Sequence, residues 1–418
     1  MPSLDAKLNG SSLDAPPKLI CFYLPQFYPF KENNEWWGTG FTEWTNVSKA
    51  QPLFPGHYQP HLPTEFGFYD LRVRETRQEQ IRVAKEFGVD AFCYHYYWFS
   101  GKRLLDKPVD DMLADPASDM PFCLSWANEN WTRRWDAAEN EVLIAQQYRP
   151  DDAERFIDDL IPFFKDKRYL QVDGLPFLIV YRPQHLPDAR QTVKIWRERI
   201  RRYSFNDLHV CCALTHGNTD YEQYGFDSGV EFPPHNLVGV KAVTKIPYFN
   251  EHVGAVLDFQ NVASHYMRRT YPGPRIHKTV FPSWDNTART GERAYIILNG
   301  TPANYEYWLS QAFEETRDRN PAGGGLVFIN AWNEWAEGCH LEPDRKYGRQ
   351  FLEATKRVKD GRSKLTKFSH VGVDRNVIRT ARPNPAFYKK KKSQRMPLGW
   401  PKVKREIDRF KKQIGLGK

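Results

Sequence analysis

Short apolar runs recur along the chain, and most of them break off into aromatic and polar residues. Eight have the length and composition of buried strands: residues 18–27, 89–98, 120–126, 175–181, 208–215, 226–231, 278–284 and 325–329. Between them lie stretches whose apolar positions return every three or four residues. These predict helices over 71–87, 151–164, 188–202, 302–319 and 347–358, the first stopped by Gly88. Residues 35–46 are too rich in Trp, Gly and Thr for either pattern and are expected to form an irregular, functional loop.

Strands alternating with helices predict an α/β fold with a parallel sheet. Eight is the number at which such a sheet closes on itself. An open doubly wound sheet is the rival arrangement, but it gathers its ligand at one switch point. Here polar and aromatic residues follow at least five strands, after Phe27, Tyr96, Trp126, Trp284 and Trp332. Only a closed barrel brings those ends to one face. The expected architecture is a (β/α)8 TIM barrel over residues 18–360, with a flexible stretch at 1–17 and a basic tail at 361–418.

Charge sharpens that division. The tail holds 18 Lys and Arg against 3 Asp and Glu, a net of +15, so the chain's overall +9 leaves −6 for the rest. The run Lys389-Lys390-Lys391-Lys392 and a short amphipathic segment at 402–414 suit either a solvated appendage or weak contact with acidic membrane lipids, nucleic acid or an acidic partner surface. The expected partner is a glycan substrate, with no nucleic acid. No stretch reaches the ~18 uninterrupted apolar residues of a membrane span. Residues 1–18 are polar and lack a signal-peptide core, which points to a cytoplasmic protein. The six cysteines show no metal-binding spacing, and most fall in apolar runs, as expected of reduced structural thiols.

The candidate chemistry gathers at the end of the eighth run. Asn333, Glu334, Trp335, Ala336, Glu337, Gly338, Cys339 and His340 follow a buried strand directly. Solvated acids do not need Trp332 and Trp335 beside them. Two carboxyl groups among indoles suit glycosidic bond cleavage, where one must be protonated to help the leaving oxygen depart. Burial and mutual repulsion both raise a carboxyl pKa. On an extended strand, residues three apart face opposite ways, so the chain must turn at Trp335-Ala336 for Glu334 and Glu337 to meet. Gly338 permits that turn.

Other residues are candidates for holding substrate. Trp36, Trp37, Trp44, Trp126, Trp131 and Trp335 offer ring faces on which sugars stack, or else fill core and loops. Glu43 and Asn46 are polar groups among those rings, and His95 and Tyr97 end the second strand. Asn128, Glu129, Arg133, Arg134 and Asp136 suit hydroxyl groups or an acidic substituent, or form an ion-pair network that stiffens their loop. Glu231 and Asp285, each at a strand end, are candidate third and fourth acids. The sequence holds no metal-ligand cluster, and Gly38-Thr39-Gly40 lacks the rest of a nucleotide fingerprint, so no metal or cofactor is expected.

The run Asn333-Glu334-Trp335-Ala336-Glu337-Gly338, with Leu341-Glu342-Pro343, resembles the signature of glycoside hydrolase family 99. It is more similar still to the related WbsX-like family, often labelled glycosyltransferase or lipopolysaccharide biosynthesis protein. The first loop, the segment from Trp98 to Leu105, the run from Trp126 to Trp135, Val230-Glu231-Phe232-Pro233-Pro234 and Ser283-Trp284-Asp285-Asn286 carry the same likeness, over about residues 19–351. The resemblance implies a (β/α)8 barrel that acts with retention on α-mannose-type sugars. It implies that Glu334 is the base on the sugar 2-hydroxyl, which attacks to form a 1,2-anhydro sugar, and that Glu337 is general acid and then base. Ala336 stands where family 99 carries a bulkier residue, often His, and Cys339-His340 replace a Thr-Gln pair.

Three functions follow as expectations. The first is a glycan-cleaving or transglycosylating enzyme working on a bacterial-type polysaccharide or oligosaccharide. The second is a glycosyltransferase building a surface polysaccharide such as lipopolysaccharide O-antigen. No Asp-x-Asp or phosphate loop supports a nucleotide-sugar donor. The third is a carbohydrate-binding barrel without catalysis.

Overall fold

The computed structural model describes residues 15–132, 142–244, 246–250, 252–321 and 323–369. All eight expected strands are present: β1 (Lys18–Tyr23), β2 (Ala91–Phe99), β3 (Phe122–Trp126), β4 (Leu175–Val180), β5 (His209–Leu214), β6 (Ser228–Glu231), β7 (Ile276–Val280) and β8 (Leu326–Ile329). Each pairs in parallel with the next, and β1 pairs with both β2 and β8, from Lys18↔Leu326 to Cys21↔Ile329. The sheet is therefore a closed eight-stranded barrel of the TIM type. Its strands read as unbroken apolar runs because both faces are covered: all nine residues of β2 and all five of β3 are buried.

Ten helices accompany the strands among the described residues: α1 (Lys31–Trp37), α2 (Glu43–Lys49), α3 (Arg74–Glu86), α4 (Lys107–Ala114), α5 (Asp152–Phe164), α6 (Ala189–Arg201), α7 (Phe259–Met267), α8 (Thr287–Thr290), α9 (Pro302–Arg319) and α10 (Gln350–Lys359). Those expected from periodicity are α3, α5, α6, α9 and α10. The connection from β5 to β6 holds only a 3-10 turn, Glu222–Tyr224.

Two elements differ from expectation. Residues 35–46 are not an irregular loop but the end of α1 and the start of α2. Gly38 (φ +100°) and Gly40 (φ +84°) break the helix, and Thr42 starts it again. The Thr42 hydroxyl accepts from Trp44 N at 3.2 Å while Thr42 N donates to Thr45 Oγ1 at 3.3 Å, a reciprocal cap hidden by the unusual composition. The seventh strand ends at Val280 and not at 284, because Pro282 has no N–H to donate. Trp284–Asp285 instead pairs antiparallel with Tyr295–Leu298 in a small sheet that also holds Ala255–Asp258. That hairpin leads into α8.

All six cysteines are buried and unpaired, and burial raises the thiols of Cys21, Cys93, Cys211 and Cys339 well above their ordinary range. No helix among the described residues is long and apolar enough to cross a membrane. The lysine run, the segment at 402–414, Arg133, Arg134 and Asp136 lie outside the described residues.

Candidate active site

β8 leaves the barrel through a tight reversal. Asn333–Glu334 pairs antiparallel with Cys339–His340, and the 3-10 turn Trp335–Glu337 joins them. Gly338 closes it at φ 56°, ψ 27°, with its N–H donating to Trp335 O at 3.0 Å. A Cβ there would lie 3.0 Å from the Asp285 carbonyl oxygen, so space as well as backbone angle calls for glycine. Asn333 ties the reversal to the end of β1: its Oδ1 accepts from Leu24 N at 2.7 Å and its Nδ2 donates to Leu24 O at 3.0 Å.

This turn brings Glu334 and Glu337 onto one guanidinium. Arg289, on α8, donates from Nη1 to Glu337 Oε1 at 2.5 Å and from Nη2 to Glu334 Oε2 at 2.9 Å. It also reaches Glu43 Oε2 on α2, at 3.2 Å from Nε and 3.1 Å from Nη2. Three carboxyl groups thus surround one cation in a mostly buried cluster, and ionising all of them would leave uncompensated charge. Burial raises the Glu337 pKa to about 8, opposed by Arg289 and reinforced by Glu334 and Glu43. Burial also raises Glu43, against Arg289. Glu337 is the most open of the three, its side chain 21% exposed against 9% for Glu334 and 2% for Glu43. The turn therefore presents a protonated carboxyl outward with a second carboxyl behind it.

Two uncharged polar side chains flank the cluster. His95, on β2, stacks on Phe22 and lies 3.9 Å from Glu334 Oε1. Burial, then the Arg289 charge, lower its pKa to about 4, so the ring is uncharged at neutral pH. Burial, then Glu334, push the Tyr97 hydroxyl far up, so it stays protonated. The Tyr97 ring meets Trp131 at 5.2 Å, and Trp131 meets Trp36 at 5.8 Å, both edge-on. Trp36 and Trp131 are only partly buried, and Trp37 packs on Phe41. Asn46, buried beside Glu43, has Nδ2 3.5 Å from Glu43 Oε1.

Other expected contacts serve the frame. Trp126 packs on Phe156 of α5, ring centroids 4.2 Å apart, and donates to Trp98 O, so it is core and not a sugar platform. Trp44 donates to Tyr69 O at 2.8 Å, and Trp335 donates to Glu342 Oε2 at 2.6 Å while lying flat on His340 at 3.7 Å. All three indoles are under a tenth exposed, which leaves no ring face for a sugar. Asn128 bonds both the N–H and the carbonyl of Arg182, and Glu129 pairs with the Arg182 guanidinium.

Neither expected extra acid joins the cluster. Glu231 points outward, bonded to Lys278 Nζ at 2.8 Å and Tyr271 hydroxyl at 3.0 Å; Glu315 of α9 meets the same lysine at 3.4 Å. A strand-end residue faces either the barrel interior or the helices, and this one faces the helices. Asp285 accepts from His57 Nε2 at 2.5 Å and from Thr287 N at 3.0 Å. It fixes the first turn of α8 and so positions Arg289. The third acid is Glu43. Arg289 itself was not among the expected residues; the available signal was its place three residues after the Ser283-Trp284-Asp285-Asn286 motif.

Comparison with known proteins gives three findings. The model of a family described as Glycosyltransferase WbsX matches residues 19–355. A protein called "Uncharacterized protein WxcX" from Xanthomonas campestris pv. campestris is 41% identical over 344 residues, covering 82% of this chain and 50% of that protein. The chain thus spans about half the length of the curated relatives it matches. Among solved structures, a GH99 endo-alpha-mannosidase from Bacteroides thetaiotaomicron superposes with a TM-score of 0.50 at 14% identity, over 82% of this chain and 96% of that one. A "Glycoside hydrolase-like protein" superposes at 0.51 and 14%, over 85% and 97%. At such identities the likeness is one of fold.

Proposed function

The chain belongs to the WbsX family, and from that membership and the geometry above we propose that it is a carbohydrate-active enzyme acting at a glycosidic bond with retention. Glu337 is the acid and then the base, and Glu334 is the base on the sugar. The observation that carries this reading is the pair Glu334 and Glu337 on a single guanidinium, with the outer carboxyl held protonated. A protonated carboxyl beside a second carboxyl is what acid-base work on a glycoside needs.

The proposed reaction has two steps. Glu334 takes the proton of the sugar 2-hydroxyl, O2 attacks C1, the C1–leaving-oxygen bond breaks, and Glu337 gives its proton to that oxygen. Glu337, now a carboxylate, then takes a proton from water or an acceptor hydroxyl, whose oxygen attacks C1. The C1–O2 bond opens and O2 recovers its proton from Glu334. Two inversions at C1 give net retention. Arg289 holds both carboxyls in place, and Tyr97 and neutral His95 offer hydrogen bonds without adding charge.

Hydrolysis and transfer differ only in which hydroxyl enters the second step. The family description, Glycosyltransferase WbsX, favours a second reading, a transferase. A screen of oligosaccharides and nucleotide sugars, read by mass spectrometry, tests both. Cleavage or disproportionation of a glycan without a nucleotide supports the first reading. Release of a nucleoside diphosphate with growth of an acceptor replaces it with the second. Turnover that survives both Glu334→Gln and Glu337→Gln removes the site assignment altogether.

A further inference from the structure

Next to the glutamate turn, where the Trp335 ring stacks on His340, three metal-ligating side chains converge from two segments. His61 Nδ1 and His340 Nε2 lie 2.9 Å apart, and a carboxylate oxygen of Asp344 is within 4.8 Å of both. All three residues are buried, at 6%, 3% and 4% exposure. We propose that His61, His340 and Asp344 form a binding site for a divalent metal ion of the zinc class.

The surroundings are those of a ligand shell. His340 Nδ1 lies 2.9 Å from the Glu342 carbonyl, to which it donates, so its Nε2 carries the lone pair and faces inward. A ligating histidine is ordinarily oriented by such a bond on its other nitrogen. The Tyr58 hydroxyl donates to Asp344 Oδ2 at 2.9 Å, a second outer bond, on the carboxylate. Two nitrogens 2.9 Å apart, each about 2.05 Å from an ion, subtend about 90° there, and slight opening reaches the tetrahedral angle. Two imidazoles and one carboxylate suit zinc better than calcium or magnesium, which prefer all-oxygen shells.

The backbone already joins the same two segments. Thr64 N donates to Pro343 O at 3.2 Å and Arg345 N to Leu62 O at 3.0 Å. A metal here pins His340, and through the stacked Trp335 it steadies the turn that carries both glutamates. It takes no part in the bond-breaking step.

The test is metal analysis of the untagged full chain, expressed in zinc-supplemented medium. The expected result is about one zinc per chain, which the chelator-stripped chain replaces with cobalt(II) to give visible d–d bands. His61→Gln and His340→Gln lose the metal. Asp344→Asn, which keeps the oxygen that accepts from Lys346 N and Tyr347 N, binds it at least about tenfold more weakly. The remote His265→Gln retains it. A natively folded chain, by near-UV circular dichroism, that carries under about a tenth of an equivalent and gives no cobalt bands overturns the proposal. The two imidazoles then share only an N–H···N hydrogen bond. Metal content is read without substrate, so this result is independent of the glycosidic reading.

Discussion

Glu337 Oε1 lies 2.5 Å from Arg289 Nη1, yet the carboxyl it belongs to holds its proton up to about pH 8. Burial and two neighbouring carboxyls outweigh one shared cation. That balance gives the site a proton donor at neutral pH, and it is open to measurement.

If Glu337 is the acid in the first step, kcat on an active glycan falls as pH rises through about 8. A pH–rate profile checks this. A basic limb near the ordinary carboxyl range of about 4–5 contradicts it.

The same raised pKa makes stability depend on pH. The folded state holds the Glu337 proton more tightly than the unfolded chain does. That contribution is complete below the unfolded value and is lost as pH rises through about 8. Glu337→Gln mimics the protonated group, so its melting temperature improves relative to the native chain between about pH 5 and 9. Thermal melts across that range show whether the gap widens in the variant's favour.

Each of Glu334→Gln and Glu337→Gln lowers kcat by about 10²- to 10⁴-fold, with little change in KM. The double variant loses little more than either alone, because the two groups act in one reaction. Additive losses in single-turnover assays mean that the groups work independently.

Arg289→Lys keeps the charge but cannot span three carboxyl groups, since an ammonium is a point donor and a guanidinium a fork. The expected variant folds, loses at least about tenfold in kcat and shifts the basic limb upward. A profile identical to the native one shows that the guanidinium does not tune Glu337.

Two tryptophans separate frame from surface. Trp126→Ala opens the packing against Phe156 and costs about 3–5 kcal/mol of stability. Trp131→Ala, at a partly buried ring beside Tyr97, costs less stability than Trp126→Ala and raises KM by roughly 2- to 10-fold. Denaturant curves and saturation kinetics distinguish the two.

The barrel was legible because its strands are covered on both sides, which leaves bare apolar runs such as that of β3. The glutamate turn was legible because Gly338 stands where only a sharp reversal would use it. The partner of that turn was not: Arg289 meets Glu43 across 246 residues, and a contact of that span leaves no local period. Likewise His61 and His340 are 279 residues apart, so no ligand spacing announced them. The tryptophans misled for another reason. Composition marks an indole beside polar residues but not the face of the strand it occupies, and Trp126 on β3 turns toward α5 and α6.

The seam between β1 and β8 joins residues some three hundred positions apart, and the amide of Asn333 clasps it at the mouth, 309 residues from Leu24. A nascent chain therefore carries β1 paired on its β2 side only, its other edge open until the last barrel strand has been made. The segment that finally supplies its neighbour is also the one that delivers Glu334 and Glu337. Completing the ring and arming it are a single late event, so a barrel left open also lacks its two acids.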